Sequence, residues 1–203
     1  MKLKVCGMRN NENIADLVNV QPDFIGFIFY EASNRNVTEI PNVEIPNTIK
    51  RVGVFVDKKI EFITKKVTDF KLDYIQLHGD ETPEFCQELK RNNRKIIKAF
   101  NISEGFDFEQ LKSYEDYCDY FLFDAFGEKA GGNGITFNWE LLDNYKGETP
   151  FLLSGGIDET MTEEIKRINH PQFVGVDINS GFEIASALKN IEKIKQFSDE
   201  LRS

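Results

Sequence analysis

Apolar residues along the chain gather in short continuous runs, separated by longer stretches with helical spacing. The first run covers 3–6, and Ile14, Leu17 and Val18 then mark one face of a helix over 10–20 that Pro22 ends. Phe24-Ile25-Gly26-Phe27-Ile28-Phe29 is apolar at every position, as in a strand buried on both faces. The stretch 30–48 has no sustained period and contains Pro41 and Pro46, which argue against a full helix. A third strand at 51–56 leads to a helix over 60–70, with Ile60, Ile63 and Val67 on one face. A fourth strand covers 74–77. Thr82-Pro83-Glu84 is a helix start, a capping residue followed by proline at the first helical position, and that helix runs to about 91 and buries Phe85, Cys86 and Leu89. Further strands are predicted at 95–100, 120–123, 151–153 and 173–176. Short helices are expected at 108–114 and 139–145, a helix over 159–168 capped by Asp158, and a last helix over 184–201 carrying Leu188, Ile191 and Ile194.

Eight strand-like runs alternating with mostly helical segments at a repeat of about 25 residues suggest a parallel sheet covered by helices and closed into a (β/α)8 TIM barrel, an α/β fold. The expected organisation is a single barrel domain over 1–203, with the second helix irregular or missing. An open doubly wound sheet would have fewer strands and one ligand crevice. Here polar clusters follow at least six of the eight runs, which a ring accounts for better. Where the second helix is lacking, Ile40, Val43 and Ile45 are expected to cover the barrel wall.

The composition narrows the function. The net charge is -9, from 34 acidic and 25 basic residues, and no block of five or more basic residues occurs, which disfavours nucleic acid as a partner. No apolar run reaches the roughly 20 residues of a membrane span, and the first residues lack a signal peptide's apolar core, so no membrane association and a cytoplasmic location are expected. The three cysteines have no paired spacing, as suits a reducing compartment, and two histidines far apart give no metal-ligand pattern. The sequence leaves monomer and homodimer equally open.

In a barrel all strand C-termini share one rim, where the active site lies. Read off the chain, that rim carries Cys6, Ser33, Arg35, Asp57, Gln76, His78 and Asp124, and glycine clusters follow the sixth, seventh and eighth strands. Ser154-Gly155-Gly156 and Asn179-Ser180-Gly181 can offer unhindered backbone N–H groups to a phosphate, although such glycines also serve simple turns. Cys6 could be a small buried hydrophobe and Asp124 a loop cap. A carboxylate after a wholly apolar strand is costly, however, unless a site uses it. Arg35 could be an ordinary surface arginine and His78 a satisfied structural histidine. His170 reads as solvated, and Cys86 and Cys118 as packing residues.

Taken together, Lys4-Val5-Cys6-Gly7, Val52-Gly53-Val54-Phe55, Gln76-Leu77-His78-Gly79, Leu122-Phe123-Asp124, Gly131-Gly132-Asn133-Gly134 with Phe137 and Trp139, Leu153-Ser154-Gly155-Gly156 and Val176-Asp177-Ile178-Asn179-Ser180-Gly181-Phe182-Glu183 resemble, in order and spacing, the phosphoribosylanthranilate isomerase family of tryptophan biosynthesis. The resemblance runs along the whole chain. It implies a (β/α)8 barrel and a cofactor-free Amadori rearrangement of N-(5-phosphoribosyl)anthranilate to 1-(2-carboxyphenylamino)-1-deoxyribulose 5-phosphate. By motif match it implies Cys6 as general base, Asp124 as general acid and Arg35 as the contact for the anthranilate carboxylate. Gln76, His78, Gly132, Gly134, Gly155, Gly156, Asp177, Asn179, Ser180 and Gly181 would line the phosphorylated substrate. The thiol, ordinarily titrating near about 8.5, would need only a modest shift to act as a base. The chain departs from the family pattern at Asn34, where proline is usual, and at Ala125, Asn133 and Asn138, none of them a proposed catalytic group.

Three other readings compete. The related histidine-pathway isomerase, or a dual-substrate version of it, uses an aspartate on the first strand and a longer chain. Ribulose-phosphate epimerase relatives need metal-ligating histidines. A non-catalytic barrel that binds a phosphorylated ligand would keep the Gly155 and Ser180 loops but would have no need for Cys6 and Asp124 together.

Overall fold

The computed structural model describes residues 1–124 and 139–203. The expected glycine cluster Gly131-Gly132-Asn133-Gly134 and Phe137 lie outside the described residues. Eight parallel strands close into one barrel in chain order: β1 (Lys2–Val5), β2 (Phe24–Ile28), β3 (Lys50–Phe55), β4 (Tyr74–Leu77), β5 (Lys95–Asn101), β6 (Tyr120–Asp124), β7 (Phe151–Ser154) and β8 (Phe173–Ile178), which pairs back onto β1. The (β/α)8 expectation is correct, and the open-sheet alternative is excluded by the β1–β8 pairing.

The continuous apolar runs conceal a period of two. Leu3, Val5, Ile25, Phe27, Phe55, Ile75, Phe121, Phe123, Phe151, Leu153 and Val176 belong to the outer core beneath the helices. Residues of the opposite parity, Phe24, Val52, Tyr74, Ile97, Ala99 and Leu122, fill the barrel interior. Both faces of every strand are covered, so alternation is invisible to a hydropathy reading. The inner set forms a floor, where the Phe24, Tyr74 and Tyr120 rings pack with centroids 5.5–5.9 Å apart.

The helices follow their local signals. In α1 (Asn11–Val20) the Asn10 side chain accepts from Asn13 N at 3.0 Å, and Gln21 ends the helix in the left-handed region at φ 56°. α2 (Ile60–Phe70) buries Ile63, Val67 and Phe70. α3 (Pro83–Arg91) is capped by Thr82 and buries Cys86 and Leu89, with Phe85 only partly covered. After β5 and β6 the connections carry 3₁₀ turns, Phe108–Ser113 and Trp139–Asn144. The helix expected over 159–168 is a 3₁₀ turn, Glu159–Met161, running into the short α4 (Thr162–Lys166). Among the described residues no helix is long and apolar enough to cross a membrane.

Two expectations need correction. Residues 29–49 hold no helix, as anticipated, but the cover over that wall is only partly the predicted one. Ile45 is buried and Val43 packs on the core, whereas Ile40 is 58% exposed. Val37, Ile49 and the Phe27, Phe29 and Phe70 rings complete the cover, with Phe29 and Phe70 4.8 Å apart. Proline at 41 and 46 leaves this segment unable to align apolar positions on one helical face, so it meets the wall at scattered points.

The second correction is the last helix. Residues 183–189 form a small hairpin, β9 (Glu183–Ala185) and β10 (Leu188–Lys189), and α5 (Ile191–Arg202) begins only after Asn190. Leu188 is consequently not on its buried face but exposed. Two tertiary contacts hold the segment out of the helix. Asn13, buried in α1, accepts from Lys189 N at 2.7 Å and donates to Lys189 O at 2.9 Å, while Asn190 caps α5 by accepting from Lys193 N at 3.1 Å.

Candidate active site

Parity carries the chemistry to one place. Lys4, Gln76, Asp124 and Asp177 share the inward parity of the barrel floor residues but stand nearer the C-terminal mouth, and Cys6 and His78 continue the same alternation just beyond β1 and β4. Register aligns them: Lys4 pairs with Asp177 across the β1–β8 seam, and Asp124 with Asn101 and Ser154.

Cys6 is buried, with its side chain over β2. A Cβ placed on Gly26 would stand 2.8 Å from the Cys6 sulfur, so the glycine supplies the space the thiol occupies. Beneath it the Lys4 ammonium donates to Asp177 Oδ2 at 2.7 Å and also reaches the thiol. Burial pushes the Cys6 thiol up, and Lys4 opposes that push without overcoming it. The expected modest downward shift is thus reversed in direction in the free protein. Burial favours a neutral Lys4, but Asp177 and Cys6 outweigh it and hold the lysine above its ordinary range, while burial pushes the Asp177 carboxyl up against the pull of Lys4.

Across the mouth, His78 Nε2 lies 3.3 Å from Asp124 Oδ2, and its Nδ1 is 2.9 Å from Gln76 Nε2. With the Gln76 amide donating to Nδ1, the ring is the Nε2–H tautomer and presents that N–H toward Asp124. Gln76 Oε1, Asp124 Oδ1 and Asp177 Oδ1 are buried acceptors with no hydrogen-bond partner among the described residues. Three such oxygens on inward positions near one mouth form a set that hydroxyl donors can satisfy. Asp57, on the rim as expected, accepts from Asp80 N at 2.8 Å and so ties the loop after β3 to the loop after β4.

The loops after β7 and β8 touch. Gly155 and Gly156 turn with φ of 96° and 65°, and a Cβ on Gly181 would come within 2.3 Å of the Ile157 carbonyl oxygen. Ser180 and Gly181 sit in a 3₁₀ turn, Ser180–Phe182, that follows Asn179. The expected Gly132 and Gly134 lie outside the described residues.

Arg35 is not a free surface arginine. It donates from Nε and Nη2 to the two oxygens of Glu183, at 2.8 and 2.6 Å. Glu183 also accepts from Lys189 Nζ at 2.7 Å, and that ammonium donates in turn to Asn179 Oδ1 at 2.6 Å. Burial favours the protonated Glu183, but the hydrogen bonds from Arg35 and Lys189 prevail and hold it down at about 2. Among the described residues no group of three or more His, Cys, Asp or Glu is placed to hold a metal ion.

Sequence reasoning missed Lys4, Gly26, Glu183 and Lys189 as members of this cluster. Lys4 was legible as a cation two residues before Cys6 and hence of the same parity. Gly26 was legible as a glycine inside an apolar strand. Lys189 carried no local signal, because it lay within what read as a helix.

The chain as a whole is similar to known proteins. The family model described as N-(5'phosphoribosyl)anthranilate (PRA) isomerase matches residues 3–200. The N-(5'-phosphoribosyl)anthranilate isomerase of Parabacteroides distasonis is 47% identical over 206 residues, covering 99% of this chain and 93% of its own. The crystal structure of phosphoribosyl anthranilate isomerase from Thermotoga maritima is 30% identical, with a TM-score of 0.84 over 100% of this chain and 98% of that one. A phosphoribosyl anthranilate isomerase in complex with reduced 1-(o-carboxyphenylamino)-1-deoxyribulose 5-phosphate is 29% identical, with a TM-score of 0.82 over 100% of this chain and 98% of that one.

Proposed function

The chain belongs to the N-(5'-phosphoribosyl)anthranilate isomerase family, and from that premise we propose a division of labour in which Cys6 is the general base and Asp124 the general acid. The enzyme is an aldose–ketose isomerase of tryptophan biosynthesis. It converts N-(5-phosphoribosyl)anthranilate to 1-(2-carboxyphenylamino)-1-deoxyribulose 5-phosphate by Amadori rearrangement. In the proposed scheme residues 1–203 act as one catalytic domain.

The first step needs a proton on the furanose ring oxygen, so that the C1–O bond breaks and the anthranilate nitrogen forms a Schiff base with C1. Asp124 supplies that proton. The His78 N–H beside it then steadies the carboxylate left behind. The second step removes the proton from ribose C2. Cys6, reacting as the thiolate with the Lys4 ammonium as its counter-ion, takes it, the C–H electrons move into the C1–C2 bond as the C1=N pair moves onto nitrogen, and the resulting enolamine tautomerises to the ketone. The Schiff-base cation makes C2 acidic at the moment the base is needed, and Lys4 adds fixed positive charge beneath the sulfur.

The observation that carries this reading is the placement of two groups of opposite duty on inward positions at one mouth, each with its own partner: Cys6 over a lysine and Asp124 beside a histidine. Acid and base chemistry at one pH requires such separate environments. The remaining roles follow from chemistry. Gly155, Gly156, Ser180 and Gly181 offer backbone N–H groups to the phosphate, with Asn179 beginning the loop. Gln76, Asp124 and Asp177 offer to ribose hydroxyls the oxygens that have no partner among the described residues. Arg35 takes the anthranilate carboxylate, a task suited to a planar guanidinium.

The test is turnover of freshly generated phosphoribosylanthranilate, followed as loss of its fluorescence, in wild type, Cys6→Ala and Asp124→Asn. Each variant should lose about 10³-fold in kcat while binding the reduced product within about threefold of wild type. Near-normal turnover in either variant would remove that residue from its role.

A further inference from the structure

We propose that Glu183 is the positioning residue of the carboxylate grip: it orients Arg35 for the substrate's aryl carboxylate and, through Lys189 and Asn179, ties that grip to the phosphate loop. The inference rests on the reading of Arg35 given above.

The geometry is over-determined. Glu183 Oε1 accepts from Arg35 Nε at 2.8 Å, Lys189 Nζ at 2.7 Å and Ala187 N at 3.0 Å, and Oε2 accepts from Arg35 Nη2 at 2.6 Å. Glu183 is itself only 7% exposed, so its carboxylate is held by donors on several sides. A guanidinium has more than one edge for a two-point grip. Glu183 occupies the Nε/Nη2 edge, and the Nη1/Nη2 edge is left for a second planar anion. Among the described residues no acceptor is paired with Nη1, and the side chain is 25% exposed, enough for a ligand to reach it.

Charge supports the same view. Were Arg35 and Glu183 alone, the pair would be neutral and a poor anchor for a carboxylate. The buried Lys189 restores one net positive charge to the trio while binding Glu183. A simple surface clip would not require a buried lysine.

Chain connectivity adds a spacing argument. Glu183 directly follows the 3₁₀ turn Ser180–Phe182 of the phosphate loop, and Lys189 returns to Asn179 at the start of that loop. The β9–β10 hairpin therefore joins the two anchors at a set separation. Gly7 keeps this assembly close to the base. Its φ is 74°, and a Cβ there would stand 2.9 Å from Arg35 Cδ and 2.7 Å from Asn179 Oδ1. A ligand bearing a phosphate at one end and an aryl carboxylate at the other is thus gripped at both ends by one connected set of bonds, and discrimination for the carboxylate depends on a residue that never touches it.

The experiment measures binding of the reduced product and of its counterpart lacking the aryl carboxylate, in wild type, Arg35→Ala, Glu183→Gln and the double variant. Wild type should favour the carboxylated ligand by about tenfold or more. Glu183→Gln should bring that preference within about threefold, raise KM for substrate about tenfold and leave kcat within about threefold, and the double variant should be no worse than Arg35→Ala. If Glu183→Gln does not fold, Glu183→Asp, which keeps the charge but shortens the reach, is expected to lose about threefold or more of the preference. Undiminished preference in the folded Glu183 variant, together with its loss in Arg35→Ala, overturns the positioning role and leaves the Arg35 reading standing. Undiminished preference in Arg35→Ala overturns both.

Discussion

Lys4 and Asp177 are register partners across the seam where the first strand meets the last, and their side chains form a buried ion pair 2.7 Å long directly under Cys6. The closure of the barrel and the electrostatics of the Cys6 thiol are therefore one feature. Strands at the two ends of the sequence must meet for the lysine to have its carboxylate, and only then does the thiol have its cation.

Removing one member of the pair should expose that linkage. Lys4→Met leaves Asp177 buried without its counter-ion and is expected to cost about 3–5 kcal/mol in stability. Lys4→Met/Asp177→Asn should recover much of that loss but not the activity. Because Lys4 pulls the thiol down against burial, its removal should move the pH profile of Cys6 alkylation by iodoacetamide upward. An unmoved profile would mean that Lys4 serves closure alone.

Gly26→Ala tests the space reserved for the thiol. The new methyl would lie 2.8 Å from the sulfur and 3.1 Å from Cys6 Cα. A destabilisation of about 1–3 kcal/mol is expected, with kcat reduced about 10²-fold by the displaced base. In a Cys6→Ala background the stability cost should shrink, which a double-mutant cycle in urea would reveal.

The loops after β7 and β8 should respond differently to the same substitution. At Gly156, with φ 65° and no described residue within 4 Å of a Cβ, alanine is expected to meet backbone strain, about 1–2 kcal/mol. At Gly181 the Cβ would strike the Ile157 carbonyl at 2.3 Å and force the loops apart. Gly181→Ala should therefore raise KM by about tenfold or more, and Gly156→Ala by about threefold or less, as measured by steady-state kinetics. Equal effects would show that the contact between the loops is not what shapes the proposed phosphate site.

Glu183 also predicts an acid limit. Its carboxyl is held at about 2 in the folded protein, below its ordinary value of 4.5. A depressed carboxyl stabilises the fold above its ordinary range, and that contribution is lost as pH falls through the folded value. The difference in urea midpoint between wild type and Glu183→Gln should accordingly be full above about pH 5 and fade toward pH 2. A difference independent of pH would assign the effect to packing.

The eight-stranded ring, most helix starts and the identity of the chemical groups at the mouth were legible along the chain. Those features are encoded locally, in continuous apolar runs, in caps such as Asn10 and Thr82, and in residues placed at strand ends. Cys6, Asp124 and His78 could be placed at the mouth because a strand's parity and direction suffice for it.

Tertiary structure alone decided what those groups experience. The sign of the Cys6 shift depends on burial and on a lysine whose partner lies 173 residues away. The engagement of Arg35 depends on Glu183, 148 residues distant. The last helix was misplaced for the same reason. Leu188, Ile191 and Ile194 do have helical spacing, but Asn13 of the first helix satisfies both backbone groups of Lys189 and draws it into a strand. Local periodicity is worth a few tenths of a kcal/mol per residue, whereas the buried Asn13 amide left without Lys189 would cost about 1–3 kcal/mol for each unsatisfied group, so the distant asparagine prevails over the local pattern.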